Sequence, residues 1–414
     1  MKNNFKQTGI RPKAVVFKPH EEFNNRRGTI AMFRRLLTVA ALLCSHALLA
    51  AEPPAPRIID LKASDGTVLK ATYFAAGKPG PGVLLMHQCN RNRQMWNDLA
   101  PKLAAEGLNV LTLDFRGFGE SGGTAPYKLA TAQEANKMLT EIFPGDVDTA
   151  FTFLTSQYGV EKNNIGAAGS SCGVNQAIQL ARRHGEVKSL MLLSGFTDRD
   201  GRAFLKQASW LPIFGVAADD DAGAVDQMEW LLSIAPNIGN VFQHYPTGGH
   251  GIEMFTPHPE LNGLLLNWFK TTLITTPGHA PANRHSTELR KQGSVFAILD
   301  SPGGAVKLSE QLAVARRKDP NAQLFSESAA NIIGYEHLQD GDTTGAIQIF
   351  KLNIAANPNS PNVYDSLADA YVTTGDKDLA RQNAQKAIDL LAGDSADNEA
   401  RKKAIRESAE QKLK

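Results

Sequence analysis

Between residues 57 and 273, short apolar runs alternate with longer stretches whose apolar positions recur every three to four residues. The first pattern reads as strand and the second as helix. Residues 57–62 and 67–74 flank Ser64-Asp65-Gly66 and predict a hairpin. Residues 82–86 form a wholly apolar run typical of a buried strand, 96–106 predict a helix, and 109–114 the next strand. Helical pattern fills 130–158 with a break at Phe143-Pro144-Gly145. A strand then leads through Ile165 into a small-residue run, followed by strands at 189–193, 212–217 and 240–245 and helices at 224–234 and 261–273. The alternation predicts an α/β fold with a doubly wound, mostly parallel sheet covered by helices on both faces.

Beyond it the pattern changes. Residues 273–286 are rich in Thr, Pro, Ala and His and read as linker, and helical periodicity dominates the residues after them. This divides the chain into an α/β domain at 52–273, a linker at 274–300 and an all-α domain at 301–414. In the last of these Gly341-Asp342 recurs as Gly375-Asp376, Ala346 as Ala380, Ile333 as Leu367 and Ile354 as Ile388. The common offset of 34 residues resembles the tetratricopeptide repeat, with Tyr371 at the aromatic position of the second unit and His337 in its place in the first. Such a resemblance implies a concave surface for a peptide or protein partner, or a dimerisation platform. Two units are few for a free solenoid, so helix 305–317 and the α/β domain are expected to cap the stack.

A chain of 414 residues, 42% apolar and 21% charged, is that of an ordinary globular protein. Met32-Phe33-Arg34-Arg35, the apolar stretch 36–51 and its small-residue end read as a secretory signal at 32–51, cleaved near Ala50 or Ala51. The stretch is short for a membrane span, and Leu42-Leu43 before Cys44 disfavours a lipid anchor. Residues 1–31 make a poor preface to a signal, so translation is expected to begin at Met32. The expected location is periplasmic or secreted, with no stable membrane span after cleavage. Removal of 1–51 leaves 35 basic and 40 acidic residues, formally −5, which gives no basic surface for nucleic acid. Cys89 and Cys172 are then the remaining cysteines, too few for a cysteine metal site.

The small-residue run carries the chemistry. Gly169, Ser171 and Gly173 stand in G-x-S-x-G spacing where a strand enters a helix. A serine in such a turn takes a positive φ, and its neighbours at ±2 must be small. Centring the turn on Cys172 or Ser170 would place Val174 or Ala168 in those positions, so Ser171 is the candidate nucleophile. It requires a base, an acid to orient that base, and donors for an oxyanion. Asp219-Asp220-Asp221 follow strand 212–217, and Gly249-His250-Gly251 follow strand 240–245.

These segments, with Leu84-Leu85-Met86-His87-Gln88 and the stretch from Asp114 to Ser121, resemble the α/β-hydrolase family over about 57–273. The resemblance implies a Ser171, His250, Asp221 triad acting through an acyl-enzyme, with no metal or organic cofactor. His250 is chosen over His87, His184, His244 and His258 because it follows the last strand in a glycine-rich turn. The small Ala218 three positions earlier favours Asp221 over Asp220, with Asp198 and Asp200 as alternatives. The oxyanion donors implied are the backbone N–H of Cys172 and that of Cys89 or Gln88, with Gln88 standing where the family usually has glycine. Two cysteines beside that hole, in an oxidising compartment, form either a disulfide or two independent small core residues. Asn90-Arg91-Asn92-Arg93 reads as a solvated loop or a contact for an anionic substrate, and Arg116 as structural.

Residues 195–210 leave room for one short helix where many lipases insert a lid. An open site is expected, suited to small or soluble carboxylic esters or lactones; the short cap and His87-Gln88 loop resemble the dienelactone hydrolase branch, which often has cysteine where this chain has Ser171. A serine peptidase of the prolyl-oligopeptidase type and a non-catalytic repeat scaffold are the alternatives.

Overall fold

The computed structural model describes residues 53–129, 132–221, 223–283, 294–394 and 399–413. The signal-like segment, its cleavage zone and Cys44 fall in a separate unit, Met1–Ala51, outside the described residues. So do Ala130, which opens the predicted helical stretch, and residues 284–293 of the predicted linker.

Eight strands form one sheet: β1 (Arg57–Lys62), β2 (Val68–Phe74), β3 (Gly80–Met86), β4 (Asn109–Leu113), β5 (Val160–Ser170), β6 (Val187–Leu193), β7 (Ile213–Ala218) and β8 (Val241–Tyr245). Their order is β1-β2-β4-β3-β5-β6-β7-β8. β1 pairs with β2 and β2 with β4 antiparallel, and every other neighbouring pair is parallel. The expected doubly wound sheet is therefore present, with an antiparallel edge. All of β3 is buried, which explains its unbroken apolar run. Its side chains alternate between two cores. Val83 and Leu85 join Trp96, Leu103 of α1 (Ala100–Ala105) and Phe269 of α7 (Leu261–Phe269). Leu84 and Met86 join the opposite core with Ala177 of α4 (Cys172–Arg183). The connections after β3 and β5 thus leave adjacent strands toward opposite faces, the point at which open α/β sheets form a crevice.

Three local expectations differ from the structure. The helix predicted at 96–106 is divided into a 3-10 turn, Arg93–Trp96, and α1, because Pro101 fits the first turn of a helix and not its interior. The break expected at Phe143-Pro144-Gly145 does not occur. α2 (Ala132–Lys137) passes through a π turn, Met138–Ile142, into α3 (Phe143–Ser156), and the wider turn accommodates Pro144, which lacks an N–H. Phe143 is fully buried there, stacked on Phe115 at 4.8 Å. Residues 294–299, assigned to the linker, form α8 (Ser294–Leu299), because Phe296 and Leu299 pack against Trp230 of α6 (Ala224–Ile234).

The C-terminal region is helical: α9 (Gly304–Lys318), α10 (Glu327–Gln339), α11 (Thr343–Ala356), α12 (Pro361–Thr374), α13 (Lys377–Leu391) and α14 (Glu399–Leu413). α10 and α12 begin 34 residues apart, as do α11 and α13. Asp342 and Asp376 cap α11 and α13 by accepting from Gly345 N and Leu379 N. A methyl on Gly334 would sit 2.4 Å from the Phe350 ring, so α10 and α11 approach as closely as a glycine allows.

The region is fastened to the sheet domain by Arg202 of α5 (Arg199–Gln207), a buried guanidinium. It lies 5.1 Å from the Phe196 ring and 4.5 Å from that of Trp230, and donates to Thr197 O and Glu336 Oε1, both at 2.9 Å. Its removal strands a largely buried carboxylate. Arg202→Ala is expected to lower unfolding free energy by about 3 kcal/mol. A denaturation midpoint equal to that of the parent would contradict this fastening role.

Candidate active site

β5 ends at Ser170 and α4 begins at Cys172, leaving Ser171 between them at φ 54°, ψ −119°. Such a backbone costs a non-glycine residue roughly 1–3 kcal/mol and persists where the surroundings impose it. Here they do. A methyl on Gly169 would lie 2.0 Å from Gly173 O, and one on Gly173 would lie 2.8 Å from Met86 O. Ser171 N also donates to Leu193 O at 2.8 Å, tying the turn to β6.

The three aspartates after β7 have separate partners. Asp219 meets His244 Nε2 at 2.7 Å. Asp220 accepts from Gly248 N and Gly249 N, each near 2.9 Å, and these amides hold its carboxyl below the ordinary range. Asp221 Oδ2 lies 2.7 Å from His250 Nδ1. Asp198 caps α5 and accepts from Gln179 and Asn175, and Asp200 pairs with Arg182. Asp221 raises the pKa of His250 above its ordinary 6.5, against burial, with a further contribution from Glu253. With Nδ1–H directed to Asp221, Nε2 is left as the imidazole's basic nitrogen.

Gln88 has a part that its sequence position does not suggest. It is fully buried, and its side-chain Nε2 donates to Asn90 Oδ1 at 2.8 Å. Its Oε1 accepts from Ser170 Oγ at 3.1 Å and from Ile252 N at 3.0 Å. One oxygen therefore gathers the residue before Ser171 and the turn after His250. His87 is likewise buried. Its Nε2 accepts from Phe115 N at 3.0 Å, so Nδ1 carries the proton donated to Gln88 O at 2.7 Å. Burial pushes its pKa down to about 4, outweighing the Gln88 carbonyl and Asp114. With the Gln88 carbonyl turned to His87, the Cys89 N–H on the same planar trans peptide points the opposite way.

Cys89 and Cys172 are joined by a disulfide, Cα atoms 5.8 Å apart across 83 residues of sequence. It links the loop after β3 to the N-terminus of α4, the two segments considered for oxyanion donors. In the loop 90–93 Asn90 and Arg91 are exposed, as expected of a solvated loop, Asn92 is half-buried, and Arg93 alone of the four is turned inward. Arg93 is buried against Asp114 and Glu120, its backbone N–H donates to Asp114 Oδ1 at 2.6 Å, and Arg91 meets Glu253 at 3.3 Å. Arg116 is buried between Asp146 and Asp65. A short helix, α5, follows β6, as the spacing allows. Among the described residues no group of three or more His, Cys, Asp or Glu side chains is arranged to hold a metal, and no helix is long and apolar enough to cross a membrane.

The family model for the alpha/beta hydrolase fold matches residues 81–225. The fold is that of an α/β-hydrolase. An uncharacterized protein of Mycobacterium tuberculosis is 30% identical over 162 residues, 39% of this chain and 52% of the relative. The chain thus spans about half the length of that curated relative. Among solved structures, this α/β-hydrolase fold is similar to the Pyrococcus furiosus esterase Pf2001 at 16% identity and TM-score 0.43, over 53% of this chain and 91% of that one. It is also similar to a dienelactone hydrolase from Anabaena variabilis at 18% identity and TM-score 0.42, over 54% and 99%.

Thiol titration of the chain from Glu52 onward, produced under oxidising conditions and denatured without reductant, is expected to find no free thiol; finding two would contradict the bridge. Replacing both cysteines by serine should cost roughly 2–4 kcal/mol of stability.

Proposed function

We propose that the chain is an exported serine hydrolase that cleaves small or soluble carboxylic esters or lactones. The observation that carries the reading is a strained Ser171 at the β5–α4 turn together with an imidazole whose Nδ1 is held by a carboxylate, the two loops being joined through Gln88 Oε1. Ser171 Oγ attacks the ester carbonyl carbon while His250 Nε2 takes its proton. The tetrahedral oxyanion is met by the N–H groups of Cys172 and Cys89. Collapse expels the alcohol, which takes the proton from His250, and water repeats the sequence on the acyl-enzyme. Asp221 fixes the tautomer and stabilises the imidazolium. His87 and Gln88 act at one remove: the first turns the Cys89 amide, and the second holds the serine and histidine loops together. The Cys89–Cys172 bridge accords with export to an oxidising compartment. The paired helices at a 34-residue interval support a tetratricopeptide-like region.

Ser171→Ala should lower kcat/KM for p-nitrophenyl acetate by at least about 10³-fold without loss of fold. Unchanged turnover would refute the assignment. Activity requires neutral His250, so the rate should fall as pH drops through an apparent pKa above 6.5. Asp221→Asn removes the main cause of that elevation. It should lower kcat by about 10⁴-fold and move the acidic limb to lower pH. A limb that stays in place would contradict the role given to Asp221.

A further inference from the structure

The Cys89–Cys172 bridge joins two residues whose backbone N–H groups both lack a hydrogen-bond partner among the described residues. Cys172 N opens α4, where the first amides of a helix have no carbonyl to meet. Cys89 N lies on the far side of the peptide whose carbonyl, Gln88 O, accepts from His87 Nδ1 at 2.7 Å and from Arg91 N at 2.9 Å. Two amides that close on one oxygen at about 2.9 Å each have nitrogens at most about 5.8 Å apart, and each nitrogen is about 1.46 Å from its own Cα. The bridge holds those Cα atoms at 5.8 Å, a spacing that one oxygen can span. Its two ends are fixed unequally. The α4 end is locked: a methyl on Gly173 would sit 2.8 Å from Met86 O and 2.9 Å from His87 O, and Ser171 N donates to Leu193 O at 2.8 Å. At the other end the bonds of Gln88 O are local to residues 87–91, and Asn90 and Arg91 are exposed. Gln88 reaches Ser170 and Ile252 through its side chain, which leaves the disulfide to tie Cys89 itself to α4. Without the bond the two side chains must part to non-bonded contact, and that movement falls on Cys89.

We propose that the bridge is a positioning element of the oxyanion hole: it sets the Cys89 N–H at the distance from the Cys172 N–H that one oxyanion requires, and esters are hydrolysed at full rate only while it is oxidised. The proposal rests on Ser171 being the nucleophile and on these two amides receiving the oxyanion. Both cysteines are half-buried rather than enclosed, so a small dithiol reaches the bond in the folded chain. It supplies two electrons and two protons, leaves two thiols and becomes its own cyclic disulfide.

The test compares four forms of the chain from Glu52 onward: oxidised, reduced with dithiothreitol and freed of it under nitrogen, reoxidised, and carrying Cys89→Ser with Cys172→Ser. All are assayed well below their unfolding midpoints, with the fold followed by circular dichroism. The substrates are p-nitrophenyl acetate and its thionoester, whose larger and weaker-accepting sulfur gains less from the two N–H groups. Reduction should lower kcat and kcat/KM for the acetate together by about 10²-fold and the oxo-to-thiono ratio by about tenfold, and reoxidation should restore both. The double-serine chain should match the reduced one and be unaffected by dithiothreitol. A folded, reduced chain whose kcat and oxo-to-thiono ratio stay within about twofold of the oxidised values would overturn the proposal while leaving the hydrolase reading intact. A reduced chain that loses its fold along with its turnover would overturn it too, making the bond a stabiliser alone. Oxidised turnover no greater than that of Ser171→Ala would instead remove the hydrolase reading, and the proposal with it.

Discussion

A strand and a helix meet at Ser171 more closely than side chains permit, and the surrounding site is organised by that approach. With Gly169 against Gly173 O, and Gly173 against Met86 O, the chain has no room to relax the positive φ of the serine between them. The strain is offset by the packing of β3, β5 and α4, which are buried in the same core. An alanine at either glycine would push apart the elements that fix the turn. The small-residue run is thus a steric requirement before it is a chemical signature.

The polar groups around the turn extend this constraint to neighbouring loops. Gln88 Oε1 receives both Ser170 and Ile252, Asp220 closes the glycine turn ahead of His250, and Arg93 holds the loop after β3 against Asp114. Each is a buried or preorganised contact whose loss would leave a group unpaired, so the loops are held as a set. The disulfide adds a covalent link between two of them. On the far side, Arg202 and Trp230 seat the helical region against α5 and α6.

Much of this is legible in the residues themselves. The central strands β3, β4, β6 and β7 fall within about two residues of their predicted limits because burial on both faces demands apolar runs, and Ser171 is singled out by the volume limit at positions two before and two after it. Three identical aspartates carry no local signal to say which faces a histidine; their division among His244, the glycine amides and His250 depends on how β7 and β8 pair. Pro144 reads as a breaker until the π turn before it is seen. The clamp made by Gln88 is hidden for a similar reason: a lone glutamine after a strand gives no hint that its partners lie 82 and 164 residues away. The seating of α10 on Arg202 is invisible too, since period and composition describe a helix but not the surface it packs against.

The most direct measurement is covalent labelling of the folded chain from Glu52 onward with a fluorophosphonate, followed by mass spectrometry of its peptides. Such a probe loses fluoride to an activated serine and remains on its oxygen. The account predicts one adduct, on Ser171, whose formation slows as His250 is protonated and is strongly reduced in His250→Ala. A folded chain that takes up no label at Ser171, or is labelled at another serine at the same rate in both proteins, would contradict it.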